Sequence, residues 1–312
     1  MVIDAALLGD PEDPAVRPVF AALLPHAQAA LDPGSDGMEK IASHLGFIGN
    51  YAAAHALQQQ ILDARESNLG AEHPRTLAAR GGLARWTGQA GNAAAARDQY
   101  AALLPVDERV LGAEHPETLT IRADLANWTG YAGDVAAARD RYAALLPVLE
   151  RVLGTEHLRT LDVRADLANS TGEAGDPVAA RDRLAALLPV RERVLDAEHP
   201  RTLITRADLA YWTGEAGDAA AARDRYAALL PVDERVLGAE HPRTLDVRGH
   251  LARWTGEAGD PAAARDQFSV LLPVRERVLG AQHPRTCDAR EALANWTQQA
   301  DQAGQERAGK PK

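Results

Sequence analysis

Six histidines, His73, His115, His157, His199, His241 and His283, stand at one constant spacing of 42 residues. Imidazole is a common zinc ligand, so the first chemistry to weigh is a metal site. Zinc needs every ligand nitrogen about 2 Å from the same ion. A fixed period of this size marks a stack of copied supersecondary units. Helices packed in such a stack lie roughly 8–10 Å apart, so one histidine per unit cannot share an ion with the next. The histidines read instead as helix-entry residues whose imidazoles cap backbone N–H groups. No metal and no cofactor is expected.

Other chemistry fails on context. Gly304 to Lys310 follows the phosphate-loop spacing, but Pro311 stands where a magnesium-holding Ser or Thr is required, and no strand precedes it. There is no nucleophile elbow, no His-Glu-x-x-His and no acidic pair outside the repeating pattern. An enzyme is not expected. Net charge is −10 with no basic block, which argues against nucleic acid and against polybasic membrane attachment. No apolar run approaches the roughly 18 residues of a spanning helix, and Met1 to Asp10 lacks the pattern of a signal peptide. Cys287 is the single cysteine, so the expected location is cytoplasmic. Lysine occurs only at Lys40, Lys310 and Lys312 amid abundant arginine, a bias associated with GC-rich bacterial genomes.

The elements that carry these residues follow from one unit, Glu72 to Gly112. Pro74 suits a first helical turn. A helix runs from there to about Gln89, and Gly91 can take the left-handed conformation that ends it. A second helix starts near Ala93, with Ala96, Tyr100, Leu103 and Val110 on one stripe. Each hairpin needs a neighbour to bury its other face. Pro105, Pro147, Pro189, Pro231 and Pro273 recur inside the second helix, where a proline costs about 3 kcal/mol. Five copies at one phase predict a kink rather than a break. Arg97-Asp98, Glu108-Arg109 and their copies read as solvated faces and inter-repeat ion pairs.

Leu83-Ala84, Gly91, Ala96 and Tyr100 resemble the tetratricopeptide repeat. The 42-residue step with His-Pro resembles its longer variant in kinesin light chains and in actinobacterial regulators. One departure is arginine at Arg80, Arg122, Arg164, Arg206, Arg248 and Arg290, where the family has a large aromatic. The resemblance implies an all-α, right-handed superhelical solenoid of antiparallel helix pairs, with about fourteen helices. The expected organisation is an N-terminal segment 1–34 with one amphipathic helix, an array 35–299 and a disordered polar tail 300–312. The array comprises a diverged repeat 35–70, five regular units 71–280 and a terminal half repeat 281–299. Phe20 to His26 resembles the segment joining a nucleotide-binding signalling ATPase (NB-ARC) module to its repeat sensor.

In this family the first helices line a concave groove that receives peptides. Carried over by register, the groove positions are Arg85, Asn127, Asn169, Tyr211, Arg253 and Asn295, with Tyr131, Glu173 and Glu215 one turn on. They vary where neighbouring positions are copied. The implied function is a non-enzymatic scaffold for a peptide or protein partner in bacterial signalling. The alternative is self-association through the array ends, favoured if Ala289 and Leu293 are exposed. Trp86, Trp128, Trp212, Trp254 and Trp296 read as packing within their own repeats, beside Tyr100, Tyr142, Tyr226 and Phe268, or as a partly exposed binding strip. Gly88, Gly130, Gly172, Gly214 and Gly256 read either as fraying before the turn or as a thinned groove floor. The repeat Thr155 to Asp196 is irregular, with Leu158, Ser170, Leu184 and Asp196 at four otherwise copied positions, and is expected to be the weak layer.

Overall fold

The structure is a computed structural model and describes residues 31–308. Among the described residues there are thirteen helices and no strand. They fall into two compact units that divide between Thr155 and Glu156. The first holds α1 (Asp36–Phe47), α2 (Tyr51–Leu69), α3 (Pro74–Gln89), α4 (Ala93–Val110), α5 (Pro116–Tyr131) and α6 (Val135–Val152). The second holds α7 (Leu158–Glu173), α8 (Pro177–Leu195), α9 (Pro200–Glu215), α10 (Ala219–Val236), α11 (Pro242–Glu257), α12 (Pro261–Leu279) and α13 (Pro284–Ala308). Within each unit every helix packs on the next one in the chain, as a stack of helix hairpins requires. The helix expected within 14–31 lies outside the described residues.

Local chemistry explains the boundaries. The imidazole Nδ1 of each periodic histidine accepts the backbone N–H two residues on, at 3.1–3.2 Å. An Asn or Asp before each regular second helix does the same for the N–H three residues on, as Asn92 does for Ala95 at 3.1 Å. Between the two, Gly91 donates to Gly88 and Asn92 donates back to Thr87, the paired bonds of a Schellman turn. Gly91 supplies the positive φ of +102° that this turn demands. The five internal prolines sit inside helices that run through them without interruption.

α13 departs from the expected end at Gln299 and continues through Ala308, so residues 300–308 are helical rather than a disordered tail. The reason lies in the register. Asp301 stands one period after Gly259, the left-handed turn residue at φ +100°, and so lacks the residue that stops α11.

The core is built between repeats. Leu77, Ala84, Ala96, Tyr100 and Leu103 meet Ile121, Leu125 and Trp128 of the following repeat. Trp212 joins Leu184, Trp254 joins Tyr226, and Trp296 joins Phe268 in the same way. The tryptophans are buried and pack one repeat back, which corrects the expectation of packing within their own repeats. It also explains the glycines. A Cβ built on Gly46, Gly88, Gly172, Gly214 or Gly256 would overlap the indole of Trp86, Trp128, Trp212, Trp254 or Trp296. These glycines are notches for the next tryptophan, neither frayed ends nor a groove floor. Gly130 differs: one period after Trp128 the chain has Ser170, and a Cβ on Gly130 meets only Ala138, at 3.3 Å.

The arginines that replace the family's aromatic have a partner of their own. Arg80 donates to Glu66 of the preceding second helix at 2.7 Å, and Arg122, Arg206, Arg248 and Arg290 repeat the pairing. At the far end, Ala289 is 1 % exposed and Leu293 packs against the last apolar cluster. That observation works against self-association through α13.

Candidate functional site

The register places the first helices side by side within each unit, with the residue before each tryptophan on a common face. In the first unit Arg85 is exposed on α3 and pairs with Asp124 of α5 at 3.8 Å. Asn127 is half-buried on α5. Tyr131, 72 % exposed, ends α5 with its ring 5.5 Å from that of Trp128.

In the second unit Tyr211, Glu215 and Arg253 are brought together. Arg253 donates to Glu215 at 2.8 Å, and its guanidinium lies 5.9 Å from the Tyr211 ring and 4.4 Å from the Trp254 ring. Tyr211 also meets His250 edge-on at 5.7 Å. Glu173 and Asn295 are exposed at the ends of α7 and in α13. Partial desolvation by neighbouring residues, and then the charge of Asp208, push the Glu173 carboxyl above the usual range even though the side chain reaches solvent.

Asn169 does structural work. Its Oδ1 accepts the indole N–H of Trp212 at 2.8 Å, and its Nδ2 donates to Asp208 at 3.1 Å. Tyr211 is the same position one repeat later, facing Trp254, and provides no such acceptor. Trp254 is 3 % exposed and its Nε1 has no hydrogen-bond partner. Leaving a buried donor unsatisfied costs about 1–3 kcal/mol, so Tyr211 opposes the stacking chemistry that Asn169 serves.

Sequence reasoning missed the residues three positions before these, one turn back on the same face: Asp124, Asp166, Asp208 and His250. Their variation among Gly82, Asp, His250 and Ala292 was the available signal. In the second unit Asp166 is held at about 7, first by burial and then by the Asp162 charge, against Arg159 and Arg191. Burial likewise raises Asp208, opposed by the Asn169 hydrogen bond and by Arg191 and Arg243. His250 stacks on Tyr226 at 5.3 Å and is pushed down to about 4, by burial and then by Arg253, Arg275 and Arg285.

Also missed was the second-helix position two after each internal proline, occupied by Asp107, Leu149, Arg191, Asp233 and Arg275, all buried. Arg191 spans two first helices through Leu161 O, Asp162, Arg201 O and Thr205. Arg275 repeats the bridge through Leu245 O, Asp246 and Arg285 O. Each arginine therefore ties the polar face to the layer behind it.

Stacked helix hairpins presenting a face of varied polar and aromatic side chains define a repeat scaffold. The tetratricopeptide repeat model matches residues 45–75, 76–117, 118–159 and 244–285, half of the chain, and the chain belongs to that family. No curated protein matches the sequence. Among solved structures it is similar to the nearly identical TPR-like repeats of a kinesin light chain from Podosopora anserina. That match has 22% identity over 66% of this chain and 97% of that one, with a TM-score of 0.55. BtubC (BKLC) from P. vanneervenii matches at 18% identity, 76% and 91% coverage and a TM-score of 0.55. A Rap protein complexed with competence and sporulation factor matches at 11%, 94% and 96%, with a TM-score of 0.60. These likenesses establish the fold. Among the described residues no helix is long and apolar enough to cross a membrane.

Proposed function

We propose that this chain is a non-enzymatic scaffold that holds a peptide or partner protein against its first helices, in the cytoplasm of a bacterium, as part of a signalling or regulatory system. The observation that carries the reading is Tyr211. It sits where Asn169 satisfies the next tryptophan, yet it leaves the Trp254 indole N–H unsatisfied and faces Arg253 and His250 instead. A position that departs from the pairing its counterpart makes one repeat earlier is a place where function is expected. Aromatic and arginine side chains are also the residues that dominate binding interfaces. Arg85, Asn127, Tyr131, Glu173, Glu215 and Asn295 complete the proposed contact positions.

The partner is a protein rather than a nucleic acid, given the net charge of −10. The signalling role draws on the resemblance of Phe20 to His26 and on the likeness to the Rap complex. Selection of a displayed peptide library on wild type and on a Tyr211→Ala/Arg253→Ala variant tests the reading. Sequences enriched by wild type and lost by the variant are expected. Equal enrichment by both would remove the first-helix face as the binding surface.

A further inference from the structure

A different groove recurs between consecutive second helices, floored by the first helix that separates them. In the first unit it lies between α4 and α6, where Leu104, Glu108, Arg122, Arg141 and Ala144 line a space of about 280 Å³. In the second unit the same register positions, three periods on, are Leu230, Glu234, Arg248, Gln267 and Val270, between α10 and α12. Asp266 joins them, and the space grows to about 510 Å³. Clefts that take ligands span about 300–1,000 Å³, so the second groove falls inside that range and the first does not.

Two departures from the copied sequence open it. Gln267 replaces the long arginine of Arg141, Arg183 and Arg225. A glutamine alone is not enough, because Gln99 with Ala102 lines a space of only about 250 Å³. Val270 stands where every earlier copy has alanine, and it raises an apolar wall that is 66 % exposed. The same changes reverse the sign of the lining. Two arginines and one carboxylate line the groove between α4 and α6, against one arginine and two carboxylates between α10 and α12. Arg248 occupies Glu234 Oε1, and both bonds from Arg265 go to Oδ1 of the exposed Asp266. Exposed pairs of this kind contribute little, about 0–1 kcal/mol, so a partner's cation can share these carboxylates. Asp266 and Glu234 stand ten register positions apart, about 15 Å of helix.

We propose that the groove between α10 and α12 docks a basic amphipathic segment of a partner protein. Its aliphatic side chains lie between Leu230, Leu251 and Val270, and flanking lysine or arginine residues reach Asp266 at one end and Glu234 at the other. Burial of the aliphatic carbons supplies the affinity. The two carboxylates set the orientation and reject an acidic segment, which would meet like charge at both ends. These positions are separate from those proposed on the first helices, so the docking surface stands whatever that other face binds.

The test follows the methyl resonances of Leu230, Leu251, Val270 and Leu271 at constant ionic strength while blocked tetrapeptides are added. Acetyl-Lys-Leu-Leu-Lys-amide carries both features, acetyl-Glu-Leu-Leu-Glu-amide reverses the charge, and acetyl-Lys-Ala-Ala-Lys-amide lacks the large aliphatic groups. A saturable shift with the first peptide and none with the other two is expected. The double variant Gln267→Arg/Val270→Ala restores the residues of the earlier copies, so it should keep its helix content and lose the response. Asp266→Asn should weaken binding about two- to fivefold, the worth of one exposed charge contact. The proposal is overturned if the acidic or the alanine peptide acts like the first, or if the double variant responds as wild type does. Shifts that follow protein concentration with no peptide present would also overturn it, by making a second copy of this chain the occupant.

Discussion

At the residue scale, Asn169 and Tyr211, one period apart, treat the tryptophan of the next repeat differently. Asn169 accepts from Trp212 and donates to Asp208, whereas Tyr211 satisfies neither role for Trp254. Tyr211→Asn should therefore raise unfolding stability by about 1 kcal/mol in urea titrations, the worth of a restored buried hydrogen bond, while weakening partner binding. A loss of stability would show that the tyrosine ring is needed for packing. The glycine notches give a second contrast. Gly172→Ala and Gly214→Ala push a methyl into an indole and should cost about 1–3 kcal/mol. Gly130→Ala faces only Ala138 and should cost less than either. Equal losses at all three sites in the same titrations would contradict the notch.

The buried carboxylates make stability depend on pH. Asp107 is raised to about 6 by burial and then by Glu117, and Asp166 to about 7. A carboxyl whose folded pKa lies above its unfolded value binds its proton more tightly when folded, so its contribution grows as pH falls through the folded value. Stability should rise between pH 7.5 and 5.5. It should fall again in more acid solution, where Glu72, Glu114, Glu198 and Glu240, held low by hydrogen bonds from Arg109, Arg151, Arg235 and Arg277, become protonated. Asp166→Asn should flatten the first rise. An unchanged slope in thermal melts across that window would place the proton elsewhere.

At the element scale, helix starts and turns were legible because they depend on neighbours in sequence: His-Pro at an entry, glycine at a left-handed turn. The end of α13 was legible in the same way, through Asp301 at the turn glycine's phase, but the polar composition beyond Gln299 suggested a tail instead. What neighbours in sequence do not reveal is which repeat a side chain packs into. The glycine notch needs a tryptophan 40 residues away, and the Asn169–Asp208 hydrogen bond joins residues 39 apart. Both spacings were present in the sequence, but only stacking gives them meaning. The groove positions came from family register; the second-unit cluster of Tyr211, Glu215 and Arg253 forms, while Asn169 turns out to serve the stack.

The irregular repeat is also an element-scale matter. Asp196 ends α8 at φ +80° and ψ 169°, a region where only glycine is free of strain. Its Oδ1 offsets part of that strain by accepting the Glu198 N–H at 2.7 Å. Leu184 fills the place of Tyr100 and Tyr226 without their hydroxyl bonds to Gly81 O and Ala207 O. Asp196→Gly should stabilise by about 1 kcal/mol. Hydrogen exchange should show α7 and α8 less protected than α9 and α10; equal protection would remove the weak layer.

At the scale of the whole molecule, copied positions build the stack within each unit, and on the proposed reading the varied positions on the first helices recognise a partner. The recurrent histidines cap helices, the tryptophans fill notches left by Gly46, Gly88, Gly172, Gly214 and Gly256, and the recurrent arginines pair with carboxylates. The most direct measurement is calorimetric titration of a library-selected peptide into wild type and Tyr211→Ala/Arg253→Ala. The account predicts a loss of affinity of about thirtyfold or more, as for a binding hot spot, with helix content unchanged. Equal affinity for both proteins would contradict it.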